Sequence, residues 1–307
     1  MYNQFDVVVN LTQQMRQENE SNDPKQAHFI ELLNRTRTGS NTIEDWNLLC
    51  ERVITPLNEQ EFVNAQRLFV LNEDVDNYNY DKLKSLDSPI AKILAKNNEK
   101  SIKLPKDQFN GAPNRIYLSV GAKITITTNL WQKFGIVNGI EGVVRDIIYP
   151  PNRTNDQIDI PPTAVLIEFD HYQGPQFFSD TARHNWLPIN MYDYFNKWRK
   201  CTRSQFPIRL NYAMTIHKSQ GATMNQAVIN LGDSESHLGV TYVALSRLKN
   251  IKDLLLFPLT YDRLEKIGRS KGMLGRLKEA DRINKLAQKT IENNLNLYNH
   301  YIITQHN

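Results

Sequence analysis

Along the first hundred residues the apolar positions switch between a strand-like and a helix-like period. Residues 5–11 (FDVVVNL) are rich in Val and weakly alternating, which predicts a buried strand. Pro24 after Asp23 suits a first helical position, Phe29, Ile30, Leu32 and Leu33 give one apolar face, and Gly39 supplies a stop. Thr42 and Asp45 match a capping box that opens a second helix through Trp46, Leu49 and Val53. A strand over 67–71, an exit turn over 72–74 and a helix over 75–86 follow. Strands alternating with helices argue for an α/β layer.

The pattern changes near Arg115. Segments such as AKITITTNL, GIEGVVRDIIY, TAVLIEFD and HNWLPINMYDY are short and rich in Val, Ile and Thr, with Gly turns and prolines between them. They predict a small all-β barrel, about 116–205, inserted into the α/β domain. Beyond it, strands over 206–214, 226–231 and 253–257 and a helix over 240–248 resume the first pattern. The tail, 261–307, is basic and then Asn-rich, with helical spacing from Leu274 through Ile283 and Leu286 to Ile291.

Composition adds little to this division. With 40% hydrophobic and 23% charged residues in 307, the chain can bury a core, and it contains no apolar run of about 18 residues that would span a membrane. The net charge of +4 is a weak hint of a polyanionic partner, but its distribution is uneven. Lys197, Arg199, Lys200, Arg203, Arg209 and Lys218 fall in a window, 194–232, that has no Asp or Glu. Between Arg263 and Lys289 nine Lys or Arg face three acids. Solvated faces are the ordinary explanation of such runs. Cys50 and Cys201 alone make no disulfide framework and no thiolate metal site, which fits a reducing intracellular compartment, and the scattered histidines predict no metal.

Three polar clusters carry candidate chemistry. AMTIHKSQGAT, 213–223, sits between two predicted strands and would bring Thr215, His217, Lys218, Ser219, Gln220 and Gly221 to one strand-to-helix junction. Free amides at a helix N-terminus and a lysine suit a phosphate, and a polar loop with a turn glycine explains the same letters. VTYVALSRLKN, 240–250, ends its apolar face at Ser246 and Arg247, where an arginine also simply complements the helix dipole. LTQQMRQ, 11–17, places Arg16 shortly after a predicted strand, where α/β folds gather ligand groups and where a surface arginine is equally ordinary.

Taken in order with FIELLNRTRTGSNTIEDWNLL, RLFVLNEDVDNYN and LSVGAKITITTNL, these clusters resemble the second half of a PIF-type (petite integration frequency) DNA helicase of superfamily one. AMTIHKSQGAT and VTYVALSR are the most specific strings and resemble that family's fifth and sixth motifs. The resemblance implies an α/β fold, a RecA-like second motor domain of P-loop NTPase type without its P-loop half. Its segments would be 1–115 and 206–260, with an SH3-like β subdomain inserted at 116–205 and a basic helical tail at 261–307. It also implies roles. Arg16 and Arg247 would reach the γ-phosphate of ATP, Gln220 and Gly221 would lie near the nucleotide, and Thr215, His217, Lys218 and the weaker candidate Asn72 would face single-stranded DNA. In the barrel, Trp131, Phe134, Trp186 and Trp198 are either stacking surfaces or core.

The chain departs from the family in one respect. It contains no Gly-Lys-Ser or Gly-Lys-Thr and no Asp-Glu dipeptide, so the P-loop and the carboxylates for Mg²⁺ are not in it. ATP and Mg²⁺ are therefore expected only in a complete enzyme, with a first RecA-like domain supplied upstream in the same chain or in trans. The strand-first N-terminus agrees with that expectation. The expected function is half of an ATP-dependent 5′→3′ DNA helicase of genome maintenance, including recombination, repair or telomeres, nuclear or mitochondrial by resemblance. The alternatives are a single-stranded nucleic-acid-binding remnant without ATPase activity and a regulatory subunit that pairs with a separate motor domain.

Overall fold

The computed structural model describes residues 5, 7–11, 15–17, 22–151 and 160–293. Its contacts fall into two compact units, Met1–Val70 with Thr215–Asn307, and Leu71–Met214. The first unit begins with α1 (Pro24–Thr38) and α2 (Ile43–Cys50). Both are set by local chemistry. The Asp23 side chain accepts from Lys25 N, Pro24 occupies the first turn, and Gly39 closes α1 at φ 70°, donating to Arg35 O. Thr42 and Asp45 close a reciprocal capping box on α2. Phe29, Leu32, Leu33 and Leu49 are buried, each worth about 1.5–3 kcal/mol.

After β1 (Gln66–Phe69) the chain enters the second unit at α3 (Asn72–Lys84). This helix starts three residues before the expected Val75. Asn, Glu and Asp at 72–74 had the composition of a turn, but acidic residues also complement a helix N-terminus, and Glu73 and Asp74 occupy the first turn. Ten strands follow: β2 (Ala91–Leu94), β3 (Lys96–Asn97), β4 (Arg115–Leu118), β5 (Lys123–Ile126), β6 (Glu141–Ile148), β7 (Ala164–Glu168), β8 (Trp186–Ile189), β9 (Tyr192–Asn196), β10 (Cys201–Gln205) and β11 (Ile208–Leu210). They form an antiparallel five-stranded sheet in the order β11-β5-β6-β7-β8, a three-stranded sheet β3-β10-β9 and the pair β2-β4. Ile124, Ile126, Val144, Val165, Ile167, Leu187 and Ile208 fill the core beside the large sheet. The expected insertion, 116–205, lies wholly inside this unit, which also takes in α3, β2 and β3.

The predicted strand over 206–214 is two short strands. Between β11 and β12 (Ala213–Thr215) the buried Asn79 side chain replaces a ladder: its Oδ1 accepts from Tyr212 N and Ala213 N at 3.1 and 2.9 Å, and its Nδ2 donates to Ala213 O. β12 carries the chain back to the first unit, where β13 (Ala227–Ile229) and β14 (Leu254–Leu256) lie parallel to β1 in the order β12-β1-β13-β14. Strands buried on both faces read as continuous apolar runs, as AVI and LLL do here. The remaining helices are α4 (Val240–Leu245), α5 (Tyr261–Arg269) and α6 (Lys271–Asn293).

One expected strand does not form. Residues 5 and 7–11 carry no strand, and Phe5, Val7, Val9 and Leu11 are exposed. Their hydrogen bonds run to α6, from Val8 N to Thr290 Oγ1 at 3.1 Å and from Asn10 Nδ2 to Asn284 Oδ1 at 3.0 Å. β propensity is largely packing against neighbouring strands, and among the described residues no strand pairs with these positions. The end of the tail, 294–307, lies outside the described residues.

Candidate nucleotide and nucleic-acid site

Within the first unit, three segments far apart in sequence meet at the C-terminal end of α4. Arg16 donates from Nε to Thr223 Oγ1 at 3.0 Å and from Nη1 to Ser246 O at 2.8 Å. The buried Gln17 beside it donates to Ser246 O and Leu248 O at 3.1 and 2.7 Å. Gln26 of α1 holds the next stretch, donating to Lys249 O and accepting from Ile251 N.

Arg247 fills the centre. Its Nε donates to Val243 O at 2.7 Å, Nη1 to Ala222 O and more weakly to Ser219 O at 3.2 and 3.4 Å, and Nη2 to Ser246 Oγ at 2.9 Å. The contact with Val243 O fits the helix-end reading of this arginine, and the contacts with Ala222 O and Ser219 O stitch the 216–224 loop to α4. Met224 N completes the stitch by donating to Arg247 O.

The loop itself corrects one expectation. No α-helix starts after β12; a single 3₁₀ turn, Ile216–Ser219, takes its place. A type II turn follows, with Gln220 at φ −58°, ψ 128°, Gly221 at φ 87° and Ala222 N donating to Ser219 O at 3.0 Å. Gly221 is there because the third residue of that turn needs positive φ. His217, Lys218, Gln220, Gly221 and Thr223 are exposed along this loop, whereas Thr215 and Ser219 are buried. The rings of His217 and His237 meet edge to face at 5.1 Å.

Electrostatically the described part of the cluster is cationic. Among the described residues neither Arg16 nor Arg247 has a carboxylate within 4.0 Å, and Arg16 Nη2 has no hydrogen-bond partner. Burial, and then the nearby charge of Arg16, push the Arg247 guanidinium below its ordinary value. A guanidinium with an unused donor and no carboxylate within reach among the described residues favours an anion, and the fork geometry of Arg16 suits phosphate oxygens. Nothing in the chain resembles the glycine loop that would hold a whole nucleotide, and no group of His, Cys, Asp or Glu among the described residues could hold a metal ion.

Other expected residues are not among the side chains that form this cluster. Asn72 belongs to the second unit, exposed at the first position of α3. Arg203 corrects the charge-window reading: it is fully buried, donating to Asn97 Oδ1 and to the carbonyls of Ala112, Ser101 and Leu104, and so offers no charge to a ligand. In the basic tail Arg263 is likewise buried against Glu235 and the carbonyls of Leu231 and Gly232. Lys266, Arg269, Arg282 and Lys285 pair with neighbouring acids. Trp131 and Phe134 pack edge to face at 4.5 Å, with Trp131 also lining a 420 Å³ cavity, while Trp198 is 96% exposed. Gln17 and Gln26 carry no distinguishing sequence signal.

No protein-family model matches the chain. It is 29% identical over 74% of its length to the protein named ATP-dependent DNA helicase PIF1 from Danio rerio, covering 32% of that protein. It is 30% identical over 61% of its length to ATP-dependent DNA helicase Pif1 from Campylobacter jejuni, covering 40% of it. An uncharacterised protein, 030L, of Invertebrate iridescent virus 6 is 25% identical over 84% of the chain and is covered to 58%. In fold, the chain superposes on a Bacteroides Pif1 helicase solved with ADP-AlF3 and single-stranded DNA, with a TM-score of 0.65 at 22% identity over 89% of this chain and 56% of that one. The chain thus spans roughly a third to three fifths of the relatives it matches.

Proposed function

From the kinship of this chain, in sequence and in fold, with the C-terminal half of PIF1-type helicases, we propose that it works as the second motor domain of an ATP-dependent DNA helicase. The observation that carries this reading is the convergence of Arg16 and Arg247 on Ser246, with no carboxylate partner among the described residues. In the complete enzyme ATP and Mg²⁺ would be held chiefly by a first RecA-like domain, upstream in the same chain or in trans. Arg16, with an unengaged Nη2, would reach the terminal phosphate, and Arg247 would hold the loop that positions it. Such arginines stabilise charge spread over a transferring phosphoryl group and are worth about 10³ to 10⁵ in rate in related systems.

The same stitching supports a coupling route. Gln220 and Gly221 share a turn whose ends hydrogen-bond to Arg247, and His217 and Lys218 lie exposed on the preceding 3₁₀ turn. We assign those two exposed side chains, with the exposed Asn72 of the second unit, to single-stranded DNA; Thr215, expected there too, is buried and offers a strand no surface. A change at the phosphate would shift Arg247 and with it the DNA-facing loop. The five-stranded antiparallel sheet is read as the SH3-like subdomain, the helices after Tyr261 as a tail, and 5′→3′ unwinding in genome maintenance as the process served, with a nuclear or mitochondrial location by kinship. No helix among the described residues is long and apolar enough to cross a membrane.

Titration of a labelled single-stranded oligonucleotide at several salt concentrations tests the DNA half of this proposal. Log affinity should fall against log salt by about 0.7 per phosphate neutralised, and Lys218→Ala should reduce the slope by about that much. Weak binding with a flat salt response would overturn it. A nucleic-acid-binding remnant without ATPase activity is the second reading, favoured by the missing Gly-Lys-Ser/Thr and Asp-Glu strings. It predicts the same titration but no gain in ATP turnover on pairing with a P-loop domain.

A further inference from the structure

The hairpin joining β9 to β10 ends in Lys197, Trp198, Arg199 and Lys200, all exposed. Trp198 is the most exposed large apolar side chain among the described residues, at 96%. Yet the loop that carries it is built firmly. Asn196 is buried, its Oδ1 accepts from Arg199 N at 2.9 Å, and its Nδ2 donates to Gln108 O and Oε1 at 3.0 and 2.9 Å. Tyr194, Cys201, Phe109 and Ala112 form a small core at the base of the hairpin, and the Arg203 guanidinium lies over the Phe109 ring at 4.3 Å.

Lys200 sits at φ 48°, in the left-handed region where Gly or Asn costs less. A turn selected for stability alone would carry such a residue there and a polar one at 198. Here the tip instead presents a bare indole face between three cations, with no ring or cation contact of Trp198 among the described residues. The segment behind it, 99–107, adds Lys100, Lys103 and Lys106 against Glu99 and Asp107. An aromatic platform set among cations on a rigid support is the chemistry that recognises an unpaired base with its flanking phosphates. Duplex DNA, whose base faces are already stacked, offers phosphates alone.

We propose that the 197–200 tip is a second single-stranded nucleic-acid contact, with Trp198 stacking on a base and Lys197, Arg199 and Lys200 holding phosphates. This rests on the reading of the chain as a DNA-handling domain, but on residues outside the 213–223 loop. The test measures anisotropy of a labelled oligothymidylate with the full chain and three variants. Trp198→Ala should bind about five-fold or more weakly, Trp198→Phe should recover most of the loss, and joint Lys197→Gln, Arg199→Gln and Lys200→Gln should lower the salt slope by about 2. All four positions are exposed, and circular dichroism verifies that the fold is kept. If the wild type binds with a salt response but Trp198→Ala binds equally well, the stacking contact is overturned while the domain reading stands. If only the charge variant weakens binding, the tip is an electrostatic contact and the proposal fails as stated. A wild type without salt-dependent binding overturns both, and leaves the tip to an acidic protein partner.

Discussion

Arg203 and Lys218 belong to the same acid-free window and have opposite fates: one lies buried among carbonyls, the other exposed on a turn. Sequence could not separate them, because burial of a β10 residue depends on a segment about a hundred positions earlier. Replacing Arg203 by Met would leave the carbonyls of Ala112 and Leu104 without that donor in the interior and Ser101 O with Leu104 N alone. We expect a loss of about 3 kcal/mol, read as a lower denaturant midpoint at unchanged slope. A second residue-scale expectation concerns pH. Asp45 is fully buried, which alone would raise its carboxyl, but Arg35, the Thr42 N–H, His28 and Asn41 together outweigh burial and hold it below the ordinary carboxylate value. A depressed folded value means that its contribution to stability is present above the unfolded value of about 3.9 and is lost as pH falls through the folded one. Asp45→Asn should therefore lower the melting temperature at neutral pH and flatten the acid limb of the melting temperature against pH.

At the scale of elements, what local chemistry decides was legible and what pairing decides was not. Asp23, Pro24, Gly39, Thr42 and Asp45 fix α1 and α2 within a few residues of themselves. The Val-rich run has the letters of a strand but, at the described positions 5 and 7–11, joins no sheet edge among the described residues, and the strand-to-helix junction expected at 216 is a 3₁₀ turn. The end of α1 also depends on a distant partner. A Cβ on Gly39 would meet Gly268 Cα at 2.5 Å, and one on Gly268 would meet Gly39 O at 2.0 Å. Two glycines thus let the end of α1 approach α5 at backbone contact, a relation that 228 intervening residues hide. Gly268→Ala should destabilise by about 1–3 kcal/mol through overpacking, despite its better helix propensity. A thermal melt unchanged or raised would contradict this packing.

For the whole molecule, the mildly basic total of +4 misdescribes where charge is offered. Arg203 and Arg263 are spent on internal structure, and much of the tail is paired with its own acids. Arg16, with Nη2 unused among the described residues, and the exposed 197–200 tip are among the cations that remain for a ligand, whereas Arg247 is buried and donates to protein oxygens from each nitrogen. Arg16 and Arg247 could be picked from the sequence only through resemblance. Nothing in LTQQMRQ or VTYVALSR alone says that both strings end on Ser246. Their convergence gives the claim that this chain completes a phosphate site begun elsewhere. The most direct measurement supplies a PIF1-type first domain that bears a P-loop, fused ahead of this chain, and follows ATP turnover stimulated by single-stranded DNA. Turnover should exceed that of the first domain alone and fall by about 10³-fold or more with Arg16→Ala, while salt-dependent DNA binding persists. Turnover equal with and without this chain, or unchanged by Arg16→Ala, would contradict it.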